Sequence, residues 1–226
     1  MAFQVSGTGG GYAGGDILRL NVFTISAWLY GSNGNPLSNG FVAGRQATTA
    51  SGSMQYALAT PGGLQCIVAN HELSQNWGTA FQSWGGSAGA WYHVYGWHDG
   101  STIFASLKQL GGSQGTASAS HGTAALDVSG EFTIGDNGGN SWTYSPGAIA
   151  EVAVWNVVLN ANELASLDAK IPPTKIRPQS LVGYWPCYGR TSESNQATSS
   201  SREGTAMNQR FGGAVVDIGR HAPVGR

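Results

Sequence analysis

The chain has 226 residues, 41% hydrophobic and only 10% charged, with a formal net charge of −1. That leaves apolar surface for a sizeable core and no global field that would draw the chain to nucleic acid or to an anionic membrane. Thirty-five Gly beside 8 Trp, 8 Tyr and 7 Phe exclude a disordered chain, which lacks aromatics, and point to many short strands joined by tight turns with positive φ.

Charge is unevenly placed. Residues 1–169 carry three basic and nine acidic side chains, residues 170–226 eight basic and three acidic. Either the basic tail is attracted to the acidic body, or it docks on an acidic neighbour. Met1-Ala2-Phe3-Gln4-Val5-Ser6-Gly7 has neither the basic nor the apolar region of a secretory signal, so synthesis and folding in the cytoplasm are expected. No run reaches the ~18 apolar residues of a membrane span. Cys66 and Cys187, both in apolar segments, read as small buried core residues and not as a disulfide framework.

Period-two alternation marks half-buried strands. In Val22–Tyr30, Phe23, Ile25, Ala27 and Leu29 share one face, while Thr24 and Ser26 lie on the other. Further strands are expected at 2–6, 17–20, 40–45, 53–59, 63–69, 90–98, 102–108, 131–135, 148–156, 181–187 and 211–218. Turn sequences separate them, among them Asn33-Gly34-Asn35-Pro36, Thr60-Pro61-Gly62-Gly63 and Asn137-Gly138-Gly139-Asn140. Asp99-Gly100 between two strand runs is a strong hairpin signal. Strands at this spacing predict an all-β antiparallel sandwich or barrel. One short helix is expected near 161–169. Asn160 and Glu163 have capping-box spacing, Leu159 and Leu164 sit at the staple positions, and Pro172-Pro173 ends the helix. The polar stretch 188–210 reads as a loop.

No constellation for catalysis stands out. Glycoside hydrolysis needs two carboxylates across the scissile bond, and no strand carries a pair at i, i+2. Asp127 and Glu131 flank the Ser129-Gly130 turn, and Glu163 belongs to the cap. The five His, at 71, 93, 98, 121 and 221, lie in no local nucleophile motif and in no zinc spacing. His93 shares its strand face with Trp91, Tyr95 and Trp97 and reads as a hydrogen-bonded core histidine. Trp28, Trp91, Trp155 and Trp185 fall in strand patterns and are expected in the core. Trp77, Trp84, Trp142 and Tyr144 fall in Gly-, Ser- and Asn-rich stretches, where a large ring plugs the sandwich end, covers a neighbouring subunit or binds a glycan.

Five blocks of sequence together resemble laminin-G-like domains of the concanavalin-A superfamily over residues 1–169. These are Phe23–Trp28, Ala90–Val94 with the turn after it, Phe132–Gly135, Gly147–Trp155 and Leu159–Leu164. The resemblance implies a jelly-roll sandwich forming one domain over 1–226, with 170–226 a basic extension that packs back on it. Ser180–Pro186 resembles the stretch that usually opens such domains. Glucanases of this kind carry a Glu-x-Asp-x-Glu strand, which is missing here. Relatives often bind calcium at a sandwich edge, and Asp136, Asn137 and Asn140 offer oxygens. The expected Asp before Glu151-Val152 is however Ala150, so Asp136-Asn137 reads as a turn and no cofactor is expected. Ile176–Val182 is similar to a tail that follows such domains in tailed-phage structural proteins. What this implies is a non-catalytic virion protein, a capsid decoration or auxiliary protein at the particle surface. Its expected partners are capsid or other virion proteins, with copies forming a homo-oligomer or array. Arg177, Arg190, Arg202, Arg210 and Arg220 are the candidate assembly contacts. A carbohydrate-binding or host-attachment module is the alternative.

Overall fold

The computed structural model describes residues 3–4, 11–13, 18–31, 38–46, 54–69, 77–83, 88–121, 131–135, 147–187, 192–194 and 206–209. In chain order the strands begin β1 (Phe3–Gln4), β2 (Gly11–Ala13), β3 (Phe23–Gly31), β4 (Ser38–Gln46), β5 (Met54–Pro61), β6 (Gly63–Ala69) and β7 (Trp77–Ser83). They continue with β8 (Trp91–His98), β9 (Thr102–Gln109), β10 (Gln114–Ser120), β11 (Glu131–Ile134) and β12 (Gly147–Trp155). Helix α1 (Ala161–Asp168) follows, then β13 (Leu181–Trp185), β14 (Ser192–Ser194) and β15 (Ala206–Gln209). Two antiparallel sheets result. The first runs β1-β12-β3-β8-β9-β10, with β13 also on β12; the second runs β14-β15-β2-β11-β4-β5-β6-β7.

The alternation in β3 explains why the sheets stack. Phe23, Ile25, Ala27 and Leu29 are wholly buried between them, together with Tyr92 and Val94 of β8 and Tyr56, Leu58, Val68 and Phe132 of the second sheet. Phe23 stacks on Tyr56 across the layer at 4.3 Å. The segment after the helix contributes to the same core, since β13 pairs with β12 and Trp185 stacks on Phe132 at 4.9 Å and 12°. Interdigitation of two inner faces is the standard construction of a sandwich.

Local signals act as their chemistry requires. At the β8–β9 hairpin Gly100 has φ 98°, which a side chain would resist, and Asp99 Oδ1 accepts from the backbone N–H groups of Ser101 and Thr102 at 2.8 Å. The Asn160 side chain accepts from Asn162 N and Glu163 N, and Glu163 reaches back to Asn160 N at 2.8 Å, closing the capping box. In β12 a register shift between Ala150 and Ala153 puts Glu151 at φ 53°. This bulge turns Val152 and Val154 inward and leaves Ala153 and Trp155 facing out.

Several expectations are corrected. Residues 18–20 form no strand; they feed the core through buried Leu18 and Leu20, with Leu18 O accepting from Tyr56 Oη. The polar stretch read as a loop contains β14 and β15, and β15 pairs with β2. β2, β7 and β10 were not expected, because Gly, Ser, Thr and Ala blur their alternation. The strand expected at 211–218 lies outside the described residues. Among the described residues no helix is long and apolar enough to cross a membrane.

Candidate binding face

The outer face of the first sheet is built from the residues that β3, β8 and β9 do not turn inward. Register places Tyr30 beside Trp91, Trp28 beside His93, Ser26 beside Tyr95 and Thr24 beside Trp97. On the other side of β8, His93 adjoins Lys108, Tyr95 adjoins Ser106 and Trp97 adjoins Phe104. This face is a second packed layer. Leu159, Leu164 and Leu167 of the helix region and Ile176 beyond it cover Tyr95, Ala153, Trp155 and Tyr184. Thr24 Oγ1 donates to Val157 O at 2.9 Å and accepts from Leu159 N at 3.0 Å, which fixes the approach to α1. Trp155 Nε1 donates to Ile176 O at 2.8 Å, which fixes the return.

The last residue of α1 closes a polar array. Ser26 Oγ lies 2.9 Å from His93 Nε2, His93 Nδ1 lies 2.6 Å from Asp168 Oδ1, and Lys108 Nζ lies 3.2 Å from Asp168 Oδ2. Burial pushes the His93 imidazole below its ordinary value, against the hydrogen bond it makes to Asp168. Nδ1–H donates to the carboxylate, and the Ser26 hydroxyl is within hydrogen-bond distance of Nε2. Burial would raise the Asp168 carboxyl, but its hydrogen bonds and charges from His93 and Lys108 outweigh that and hold it low.

Serine, histidine and aspartate stand here in the order of an acyl-transfer triad. Ser26 and His93 are each only 1% exposed, and Trp28 stacks on the imidazole at 4.8 Å and 17°. With α1 in place both side chains are covered. The array holds the end of α1 against the sheet. Sequence reasoning missed it because its members lie 67 and 75 residues apart. Period two does turn Ser26 and His93 to one face, but nothing in the sequence ties Asp168 to them.

Beyond Asp168 the face opens. Trp28, Tyr30 and Trp91 are half-buried, and Tyr30 and Trp91 meet at 5.3 Å. Trp28 and Trp91 therefore lie on the outer face and not in the core, whereas Trp155 and Trp185 are wholly buried. Lys108, with its side chain 35% exposed, borders this cluster next to Gln114 of β10.

The residues singled out from sequence are scattered. Trp77 opens β7, paired with Ala69. Arg177 Nε donates to Glu163 Oε1 at 2.7 Å, so this guanidinium braces the helix start. Trp84, Trp142, Tyr144, Arg190, Arg202, Arg210 and Arg220 lie outside the described residues, as do Asp136, Asn137 and Asn140. Cys66 and Cys187 are buried thiols outside any disulfide, and burial pushes the Cys66 thiol up. Glu151, half-buried in its bulge, accepts from Tyr184 Oη; burial raises its carboxyl against that hydrogen bond. Among the described residues no three His, Cys, Asp or Glu side chains gather as a metal site.

The sequence of residues 6–165 matches the family described as the concanavalin A-like lectin/glucanases superfamily. The chain belongs to this superfamily. Comparison with curated proteins finds no match. Among solved structures, this superfamily member is similar to a putative carbohydrate binding protein from Bacteroides ovatus, at 17% identity and TM-score 0.51, over 91% of this chain and 60% of that one. It is also similar to the enzymatically active domain of bacteriophage CBA120 tailspike protein 2, at 12% identity and TM-score 0.50, over 83% of this chain and 34% of that one. A third is the binding domain of botulinum neurotoxin serotype G, at 11% identity and TM-score 0.50, over 75% of this chain and 42% of that one. The chain spans about a third of the tailspike chain's length, and these likenesses speak for the fold.

Proposed function

We propose that this superfamily member works by binding and assembly, as a non-catalytic structural protein of a tailed-phage particle that decorates the capsid shell. The observation that carries the non-catalytic half is the sealed Ser26–His93–Asp168 array. Its nucleophile and base are buried and spent on helix packing, while Glu163 is committed to a cap and an arginine. The virion half is supported by the Ile176–Val182 tail and the eight basic residues of 170–226, which suit an acidic shell surface. Co-sedimentation with purified shells tests it. Saturable binding that weakens as salt rises is expected; no binding at low salt rejects it.

A second reading, a carbohydrate-binding module, is favoured by one observation. Trp28, Tyr30 and Trp91 remain half-buried at the open end of the outer face beside Lys108, an arrangement suited to stacking on pyranose rings. On a glycan array Trp91→Ala and Trp28→Ala should then lose at least ~10-fold in affinity with the fold intact. An array blank for the unmodified chain removes this reading.

A further inference from the structure

The residues after α1 form a braced spur. The helix ends in a Schellman motif, in which Lys170 N–H donates to Leu167 O at 2.9 Å and Ile171 N–H to Ser166 O at 3.0 Å. That motif holds Lys170 at φ 64°, a left-handed position that glycine fills without strain and lysine does not. Arg177 is left-handed as well, at φ 42°. Between the two, Pro172 leads into a 3-10 turn over Pro173–Lys175, which Lys175 N–H closes on Pro172 O at 2.8 Å. The far end is anchored twice, by Trp155 Nε1 donating to Ile176 O and by Arg177 Nε donating to Glu163 Oε1.

The two sides of the spur differ. Pro173 and Ile176 are buried, whereas Lys170, Ile171, Pro172 and Lys175 are exposed, Ile171 by 43%. At the place Ile171 occupies in a Schellman motif, an apolar side chain commonly packs back on the last helical turn. Here that turn presents Ala165 and Ser166, and the isoleucine stays in solvent. The carboxylates of α1 do not offset the lysines. Glu163 is held by Arg177, and Asp168 by His93 and Lys108. Among the described residues no carboxylate pairs with Lys170 or Lys175.

We infer that this spur docks on an acidic protein surface, with Ile171 entering an apolar recess and Lys170 and Lys175 meeting carboxylates around it. The occupant follows from charge and from the apolar centre. An isoleucine and a proline ringed by charge reproduce the apolar core and polar rim of a protein interface, whereas a nucleic acid would answer the lysines and leave Ile171 without a partner. The prolines and the two anchors fix the spur before it binds, so little freedom is lost on docking. Strain kept at Lys170, where glycine would relieve it, marks a position that serves the side chain and not the turn. The inference rests on the capsid reading for the partner, the shell protein. It moves the contact from Arg177, which braces the helix, to the lysines and the isoleucine before it.

Co-sedimentation of the full chain with purified shells, using variants of the spur, tests it. Lys170→Glu with Lys175→Glu should weaken binding at least ~100-fold, and Ile171→Ala about 10-fold. Lys170→Gly should raise the thermal midpoint by relieving the backbone and still weaken binding. Variants that bind as the unmodified chain does overturn the inference and leave the capsid reading standing; an unmodified chain that does not bind overturns both. Binding to duplex DNA that charge reversal abolishes and Ile171→Ala leaves intact would make the spur a general polyanion contact, which also overturns it. Should the charge-reversed variant not fold, carbodiimide coupling of the unmodified chain on shells decides. Cross-links from Lys170 or Lys175 to shell carboxylates are expected, and cross-links confined to other amines contradict it.

Discussion

The two faces of the first sheet are buried by different means. Inside, β3 sets Phe23, Ile25, Ala27 and Leu29 against the second sheet, and burial of apolar area, worth about 25 cal/mol per Å², accounts for the association. Outside, the same strand sets Thr24 and Ser26 under α1, where each hydroxyl finds a named partner. Aromatic and aliphatic side chains pack around those bonds. The inner layer specifies that two sheets stack. The outer layer specifies where a short helix lies on one of them. A chain with 10% charge thus spends some of its few ionisable groups, His93, Asp168 and Lys108, on that placement.

The contrast can be broken most sharply at Trp155. If the outer layer is a second core, Trp155→Ala should cost about 3–5 kcal/mol, comparable to Phe23→Ala, in chemical denaturation. A loss under about 1 kcal/mol would make the layer a loose cover. Next, His93→Ala strands the Ser26 hydroxyl and the Asp168 carboxylate and should cost about 1–3 kcal/mol. Exchange protection should fall in 161–168 while the inner strands keep theirs. Asn160→Ala, which opens the capping box, should cost about 1 kcal/mol, and Asn160→Asp should recover most of it.

Acid offers a subtler probe. Below the ordinary histidine value near 6.5 the unfolded chain takes up a proton that buried His93 refuses, so stability falls as pH drops through that value. The Asp168 carboxyl is held below its ordinary value of 3.8. Its contribution is whole above that value and is lost as pH falls further. Unfolding free energies at a series of pH values should show both steps, and His93→Gln should flatten the upper one. An unchanged upper slope in that variant would mean that other groups carry it.

The sandwich was legible because β3 and β8 turn apolar residues at alternate positions into the inner core and Asp99-Gly100 marks the hairpin after β8. The capping box was legible because all its groups lie within four residues. The edges were harder. β10 is built mostly of small residues whose faces hydropathy does not separate, and β7 carries rings only at Trp77 and Phe81, among Gly, Thr, Ala, Gln and Ser. Trp28 and Trp91 read as core because a strand pattern tells which residues share a face, not which face is covered. The Ser26–His93–Asp168 array was beyond reach, since only docking of α1 brings Asp168 to the sheet.

Imaging of intact particles, with the protein and after its removal, addresses binding and assembly most directly. The account predicts repeated sandwich-sized density on the shell that disappears with the protein, with basic side chains of 170–226 at the contact. Shells identical in both samples, or density confined to another part of the particle, would contradict it.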